Sequence, residues 1–212
     1  VLQDGDSNLY TETVYDYQLQ DIISGAALPA GFEKDDAGAA FPAMVKEEKR
    51  FYEGLATAGK STTFNYAYDR YGNTTYYQDL GEATTEDDLA ATIEYHEFVD
   101  KYLVGLPKGI IVTGGSAANI YRKREADIDE NTGNVTQIRQ FLEDGTQAIY
   151  DLDYDTYGNI DSLTRPANGQ GKRLGFKYVY DPSVHIYTVG ISDSYGYNSA
   201  GTYDLRFGQM LS

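Results

Sequence analysis

The chain has 212 residues, with 17 Lys and Arg against 33 Asp and Glu, so its formal net charge is −16. Without cysteine it can form no disulfide, no Cys-ligated metal site and no thiol nucleophile. The acidic balance argues against nucleic acid as a partner, and no apolar run approaches the roughly 18 residues of a membrane span.

Leu, Ile, Val and Phe together make up only about a fifth of the chain, near the level at which a packed core becomes doubtful. Tyr fills the deficit with 21 residues. Its ring can pack while its hydroxyl stays wet or finds a partner, and Tyr and Thr both suit a pleated, half-exposed surface. The composition therefore points to an ordered β-rich protein. Val1 at the start, with no signal-peptide pattern, and Gln209-Met-Leu-Ser212 at the end suggest a piece of something longer.

In chain order, Leu9 to Leu19 alternates as a strand within residues 1–23. Residues 24–45, rich in Gly, Ala, Asp and Pro, read as a loop or a poorly patterned connection. Lys46 to Gly54 is short and charged. Thr62 to Gln78 alternates around Tyr-Gly-Asn, as a hairpin does. Residues 81–101 carry both a helix-start pattern at Thr84 to Asp88 and an alternating Thr92 to Tyr95; a strand after an acidic loop is preferred. Leu103 to Pro107 and Gly109 to Thr113 are expected to pair across a Pro-Lys-Gly turn. From Asn119 onward, strands and tight turns follow each other. Asp144-Gly145 between two alternating runs is a strong hairpin signal.

A repeat underlies these turns. Tyr68-Asp69-Arg-Tyr-Gly72-Asn73 matches Tyr154-Asp155-Thr-Tyr-Gly158-Asn159 in five of six positions. Looser copies are Asp129-Glu-Asn-Thr-Gly133-Asn134, Asp193-Ser-Tyr-Gly196 and Tyr203-Asp204-Leu-Arg-Phe-Gly208, and Tyr178-Val-Tyr180-Asp181 has the first half. An Asp carboxylate bonds backbone N–H groups about two residues on, Gly supplies positive φ, and Asn tolerates it. Single hairpins are unstable, so such units must stack on one another. The expected division is a poorly patterned segment over 1–61 and a hairpin array over 62–212, with an acidic insertion at about 79–102.

Repeated Tyr-Asp-x-x-Gly-Asn followed by Thr or Ile resembles the YD repeats of Rhs proteins. The irregular spacing, the Leu103 to Pro107 run and the Tyr203 to Gly208 end are most similar to the B-type shell component of bacterial insecticidal toxin complexes. The resemblance covers 62–208 well and 1–61 vaguely, and it lacks the self-cleaving aspartate motif. It implies an all-β fold of consecutive antiparallel hairpins forming a strip of a large curved sheet. The function it implies is that of a non-catalytic, secreted or cell-surface bacterial shell segment. Its partners would be the rest of the same polypeptide and an enclosed toxic effector. No catalytic residue, cofactor or metal is expected, and the turn residues carry the structural role.

Other signals weigh less. Gly54-Leu-Ala-Thr-Ala-Gly59-Lys60-Ser61 fits the phosphate-loop pattern, but no strand-to-helix context surrounds it, so it reads as a turn. Asp127, Asp129 and Asn131 alternate like calcium ligands, yet Gly133 falls one place late and Ile138 stands where a Glu is needed. A turn is preferred and calcium left open. His96 and His185 have no identifiable Ser or metal partnership. The Asn73 and Asn134 glycosylation patterns are read as incidental. The Tyr-rich faces could instead bind a glycan in an adhesion or carbohydrate-binding module; packing between strands is the favoured reading.

Overall fold

The computed structural model describes residues 1–6, 8–29, 31, 39–82, 84–115 and 119–212. These form two compact units, Val1–Lys123 and Arg124–Ser212. The first unit contains β1 (Leu2–Gln3), β2 (Leu9–Asp21), β3 (Ala40–Phe51), β4 (Lys60–Tyr68), β5 (Thr74–Leu80), β6 (Leu89–Tyr95) and β7 (Pro107–Gly114). A 3-10 turn, Val99–Lys101, precedes β7, and β8 (Asn119–Ile128) runs across the boundary. The second unit continues with β9 (Val135–Phe141), β10 (Gln147–Tyr154), β11 (Ile160–Ala167), β12 (Arg173–Tyr180), β13 (Thr188–Asp193) and β14 (Asn198–Ala200). A small pair, β15 (Tyr203–Asp204) and β16 (Gln209–Met210), follows.

The fold is all-β. Within each unit, neighbours in the sheet are neighbours in the sequence. Successive strands from β1 to β7, and from β9 to β14, pair antiparallel. This is the simplest topology available to a chain of short connections, since an antiparallel neighbour needs only a tight turn.

Side-chain alternation does the rest. Tyr66 and Tyr77 lie opposite each other on β4 and β5 with ring centroids 5.6 Å apart, and Phe64 stacks on Tyr77 at 6.1 Å. Such cross-strand aromatic pairs stabilise a sheet without a second layer behind it. Ala43 and Val104 are the only apolar residues that qualify as buried among the described residues, at 0% and 8% exposure, and no large side chain is fully buried. Cohesion therefore lies in the ladders and in pairs along the surface.

Two expectations are corrected. Residues 24–45 are not all loop: β3 starts at Ala40 and pairs with β2 along its length, from Asp21↔Ala40 to Thr11↔Phe51. The Ala- and Pro-rich start of β3 has little strand preference of its own, and pairing with β2 overrides it. Beyond it, Lys46, Glu48, Arg50 and Tyr52 alternate on one face. There Glu48 accepts from Arg50 Nε at 2.8 Å and from Lys46 Nζ at 3.1 Å, and these bonds pull its carboxyl down to about 2. The second correction concerns 103–113. Leu103 bridges to Phe98, and β7 pairs with β6 instead, from Tyr95↔Pro107 to Leu89↔Gly114. The preferred strand at 92–95 is present as β6, and the hairpins at 62–78 and around Asp144-Gly145 form as β4–β5 and β9–β10.

Candidate functional site

The repeat residues sit where strands reverse. At the first turn, the Asp69 carboxylate folds over its own loop. Its Oδ1 accepts the Tyr71 N–H at 2.8 Å and the Asn73 N–H at 2.9 Å. Its Oδ2 accepts Asn73 Nδ2–H at 2.8 Å. The backbone closes the loop through Asp69 N–H to the Asn73 carbonyl at 3.0 Å, and Gly72 takes φ +84°. A residue with a Cβ pays steric energy there, which is why the position is Gly.

Asp155 repeats this in the second unit. Its Oδ1 accepts from Tyr157 N at 2.8 Å and Asn159 N at 2.9 Å, its Oδ2 from Asn159 Nδ2 at 2.9 Å, and Gly158 has φ +86°. The Asn159 amide, together with these backbone donors, holds the Asp155 carboxyl below the ordinary carboxylate range. Asp193 has the same backbone pattern, accepting from Tyr195 N and Tyr197 N at 2.9 and 3.0 Å, with Gly196 at φ +92°. Tyr197 stands where the other turns have Asn.

Asp129 builds a turn one residue longer. Its Oδ1 accepts from Asn131 N at 2.8 Å and Thr132 N at 2.9 Å, Gly133 takes φ +77°, and Asn134 N donates to Thr132 Oγ1 at 3.2 Å. At Asp204, Oδ1 accepts from Arg206 N and Nε, both at 3.0 Å, and Oδ2 from Arg206 Nη2 at 2.7 Å, with Gly208 at φ +68°.

Four further turns of this kind are present: those at Asp4 and Asp21 were not anticipated from sequence, the Asn168-Gly169 turn was legible only as a turn, and Asp181 only as the first half of a copy. Asp4 accepts from Asp6 N, Asn8 N and Asn8 Nδ2. Asp21 matches the longer form, taking Ile23 N and Ser24 N, with Gly25 at φ +72°. The shared Asp-x-x-Ser/Thr-Gly spacing of Asp21 and Asp129 was the available signal. Asn168 replaces the acid altogether and accepts from Gln170 N at 2.9 Å and Lys172 N at 3.0 Å. Asp181 accepts Ser183 N and Val184 N at 2.9 Å each, and His185 takes the glycine-like place at φ +57°. Asp181 is 4% exposed, and its Oδ2 has no hydrogen-bond partner among the described residues. No Asn follows it to donate, in contrast to Asp69 and Asp155.

The Tyr of the repeat has a distinct task. Tyr68, Tyr95, Tyr154 and Tyr180 each donate their hydroxyl to a backbone carbonyl 19 to 24 residues earlier, namely Met44, Thr74, Val135 and Ile160, at 2.9–3.1 Å. Thr74, Val135 and Ile160 are each the first residue after a turn. Tyr95 belongs to this row although His96 follows it instead of Asp. Tyr203 instead stacks on Tyr187 with ring centroids 4.9 Å apart.

The remaining candidates fall elsewhere. Gly54 to Gly59 is the loop of the β3–β4 hairpin, and Lys60 opens β4 and pairs with Glu82 at 2.6 Å. Strand leads to strand, so no helix N-terminus converges on a phosphate position there. Asp127 pairs with the Arg139 guanidinium, its Oδ1 taking Nη2 at 2.8 Å, while Asp129 faces its own turn. Among the described residues no group of three or more His, Asp or Glu converges as a metal site. His96 stacks on Phe98, and His185 on Tyr157 at 3.8 Å. No helix among the described residues is long and apolar enough to cross a membrane.

Solved toxin-complex structures are similar to this chain. The crystal structure of TcdB2-TccC3 matches 99% of the chain at 11% identity, with a TM-score of 0.45 and 12% of that protein covered. The Tc holotoxin pore of Photorhabdus luminescens matches 80% of the chain at 13% identity, with a TM-score of 0.43 and again 12% covered. A porin-like protein from Bacteroides uniformis matches 70% at 18% identity, with a TM-score of 0.33 and 57% of that chain covered. The chain thus spans about an eighth of the toxin-complex structures. No protein-family model and no curated protein matches it.

Proposed function

We propose that this chain is a non-catalytic wall segment of a secreted bacterial YD-repeat shell that encloses a toxic C-terminal polypeptide. In this reading its partners are the remainder of the same polypeptide and the enclosed effector. The observation that carries it is one turn built twice. Asp69 and Asp155 each hold two backbone N–H groups and an Asn amide within 0.1 Å of the same distances, in separate units. A sheet that extends by repeating a self-contained turn needs no thick core. It can therefore be wide and thin, as the wall of a hollow container must be. The sequence resemblance over 62–208 supports the same reading, and the boundary between 1–61 and the array belongs to the proposal.

The use of six Tyr favours a wall over a glycan platform, although Tyr17, Tyr102, Tyr195 and Tyr197 are exposed. The hydroxyls of Tyr68, Tyr95, Tyr154 and Tyr180 are committed to backbone carbonyls, and Tyr66 and Tyr77 pack on each other. A sugar-binding face would present such rings to solvent with free hydroxyls.

Limited proteolysis of the full native polypeptide, read by mass spectrometry, tests the proposal. The expected result is a C-terminal fragment that resists protease and stays bound until denaturation. A product of a few hundred residues that encloses nothing would refute the shell, and glycan-binding assays would then decide the alternative.

A further inference from the structure

We infer that Asn73 and Asn159 are positioning residues, each fastening its turn to the loop of the next hairpin in its own unit. The inference deepens the shell reading and rests on its hairpin array, not on any cargo. One amide nitrogen does two things at each site. Asn73 Nδ2 donates to Asp69 Oδ2 at 2.8 Å and to the Val104 carbonyl, 31 residues on, at 2.7 Å. Asn159 Nδ2 donates to Asp155 Oδ2 at 2.9 Å and to the His185 carbonyl, 26 residues on, at 2.7 Å. An amide nitrogen carries two N–H groups, so both are used.

The arrangement is pre-oriented. Two backbone N–H groups fix Oδ1 of the Asp, Oδ2 then fixes the Asn amide, and the second amide proton points at the neighbouring loop. That loop is shaped to receive it. Val104 is buried, and a Cβ at Gly105 would stand 3.2 Å from Asn73 Oδ1, so a side chain there would press on the amide. The next hairpin also bonds back: Tyr95 and Tyr180 donate to the carbonyls of Thr74 and Ile160, the residues directly after the two Asn. Each junction is therefore fastened in both directions, forward by Asn and backward by Tyr.

Asn134 supplies an internal control. It occupies the same place after Gly133, but its turn is one residue longer, and its side chain makes no hydrogen bond among the described residues. Sequence alone would give the three Asn one role; the geometry separates them.

The test is hydrogen–deuterium exchange by mass spectrometry on the full polypeptide, comparing Asn73→Ala, Asn159→Ala and Asn134→Ala. In Asn73→Ala, peptides covering 96–106 should exchange about two- to tenfold faster, the range of one lost hydrogen bond. The Tyr71 and residue-73 amides should keep their protection, because Asp69 Oδ1 still holds them. Asn159→Ala should loosen 183–187 in the same way, and Asn134→Ala should change neither region. If Asn73→Ala does not fold, Gly105→Ala, which keeps the donor and crowds it, should loosen the same loop. Unchanged loop exchange in folded Asn73→Ala and Asn159→Ala would overturn the inference and leave the shell standing. An unprotected cargo in the unaltered protein would do the reverse.

Discussion

Replacing Asp69 separates the work of its two oxygens. Asp69→Ala removes three acceptor contacts at 2.8–2.9 Å, two to backbone N–H groups and one to the Asn73 amide. Each such bond contributes about 0.5–1.5 kcal/mol net, and water recovers part of the loss at a half-buried turn, so about 2 kcal/mol is expected. Asp69→Asn keeps Oδ1 and with it both backbone donors, as Asn168 does for Gln170 and Lys172. It loses only the contact through Oδ2, because an NH2 then faces the NH2 of Asn73. The expected cost is about 1 kcal/mol, half that of alanine. Urea unfolding followed by Tyr fluorescence measures both, using the transition that reports the first unit, since two units need not unfold together. With a slope of about 2 kcal/mol per molar, the midpoint should fall by about 1 M for alanine and about 0.5 M for asparagine. Equal losses in the two variants, or no loss in either, would refute the division of labour.

Other consequences are as direct. Gly158 has φ +86° and nothing within 4 Å of a Cβ, so Gly158→Ala should cost about 1–2 kcal/mol by conformation alone. Gly169, with open space and no positive φ, should tolerate alanine within about 0.5 kcal/mol; paired thermal melts compare the two. Tyr154→Phe keeps the ring and deletes the bond to the Val135 carbonyl, for a loss of about 1 kcal/mol, whereas a glycan-facing Tyr would show none. The pH dependence should be two-sided. The carboxyls of Asp4, Asp21, Asp144, Asp155 and Asp204 lie below their ordinary value because turn donors stabilise the charged form. Their contribution is complete above the unfolded value of about 4 and is lost as pH falls through the lowered folded values. The phenols of Tyr66, Tyr68, Tyr77, Tyr95 and Tyr154 are raised, first by burial. Their contribution is complete below about pH 10 and is lost as pH rises through the higher folded values. Urea midpoints across pH should therefore fall at both ends, and a profile flat down to pH 2 would contradict the turn geometry.

Much of the fold was legible because the information is local. A tight antiparallel turn needs an acceptor at its start, a residue tolerant of positive φ near its end, and alternation on either side. All three lie within a few residues of Asp69 and of Asp155. The turns at Asp21 and Asn168 were harder to see. The Asp21 turn is one residue longer and ends in Ser24-Gly25, and the Asn168 turn keeps the shorter backbone but has an amide in place of the acid. Asp181 was legible only in its first half, since His185, not Gly, takes the left-handed position. The start of β3 was missed for a different reason. Ala40, Pro42 and Ala43 carry no strand signal, and their conformation follows from β2 alongside.

The sequence by itself determined the fold class and the reversals at Asp69, Asp129, Asp144, Asp155 and Asp193, because each depends on contacts between residues close in the chain. Only the tertiary structure decided what joins one hairpin to the next. That Asn73 reaches Val104 and Asn134 reaches nothing comparable depends on a turn longer by one residue and on a loop 31 residues away. A hydrogen bond is satisfied or lost over a few tenths of an ångström, and the spacing of letters does not carry that information across so many residues.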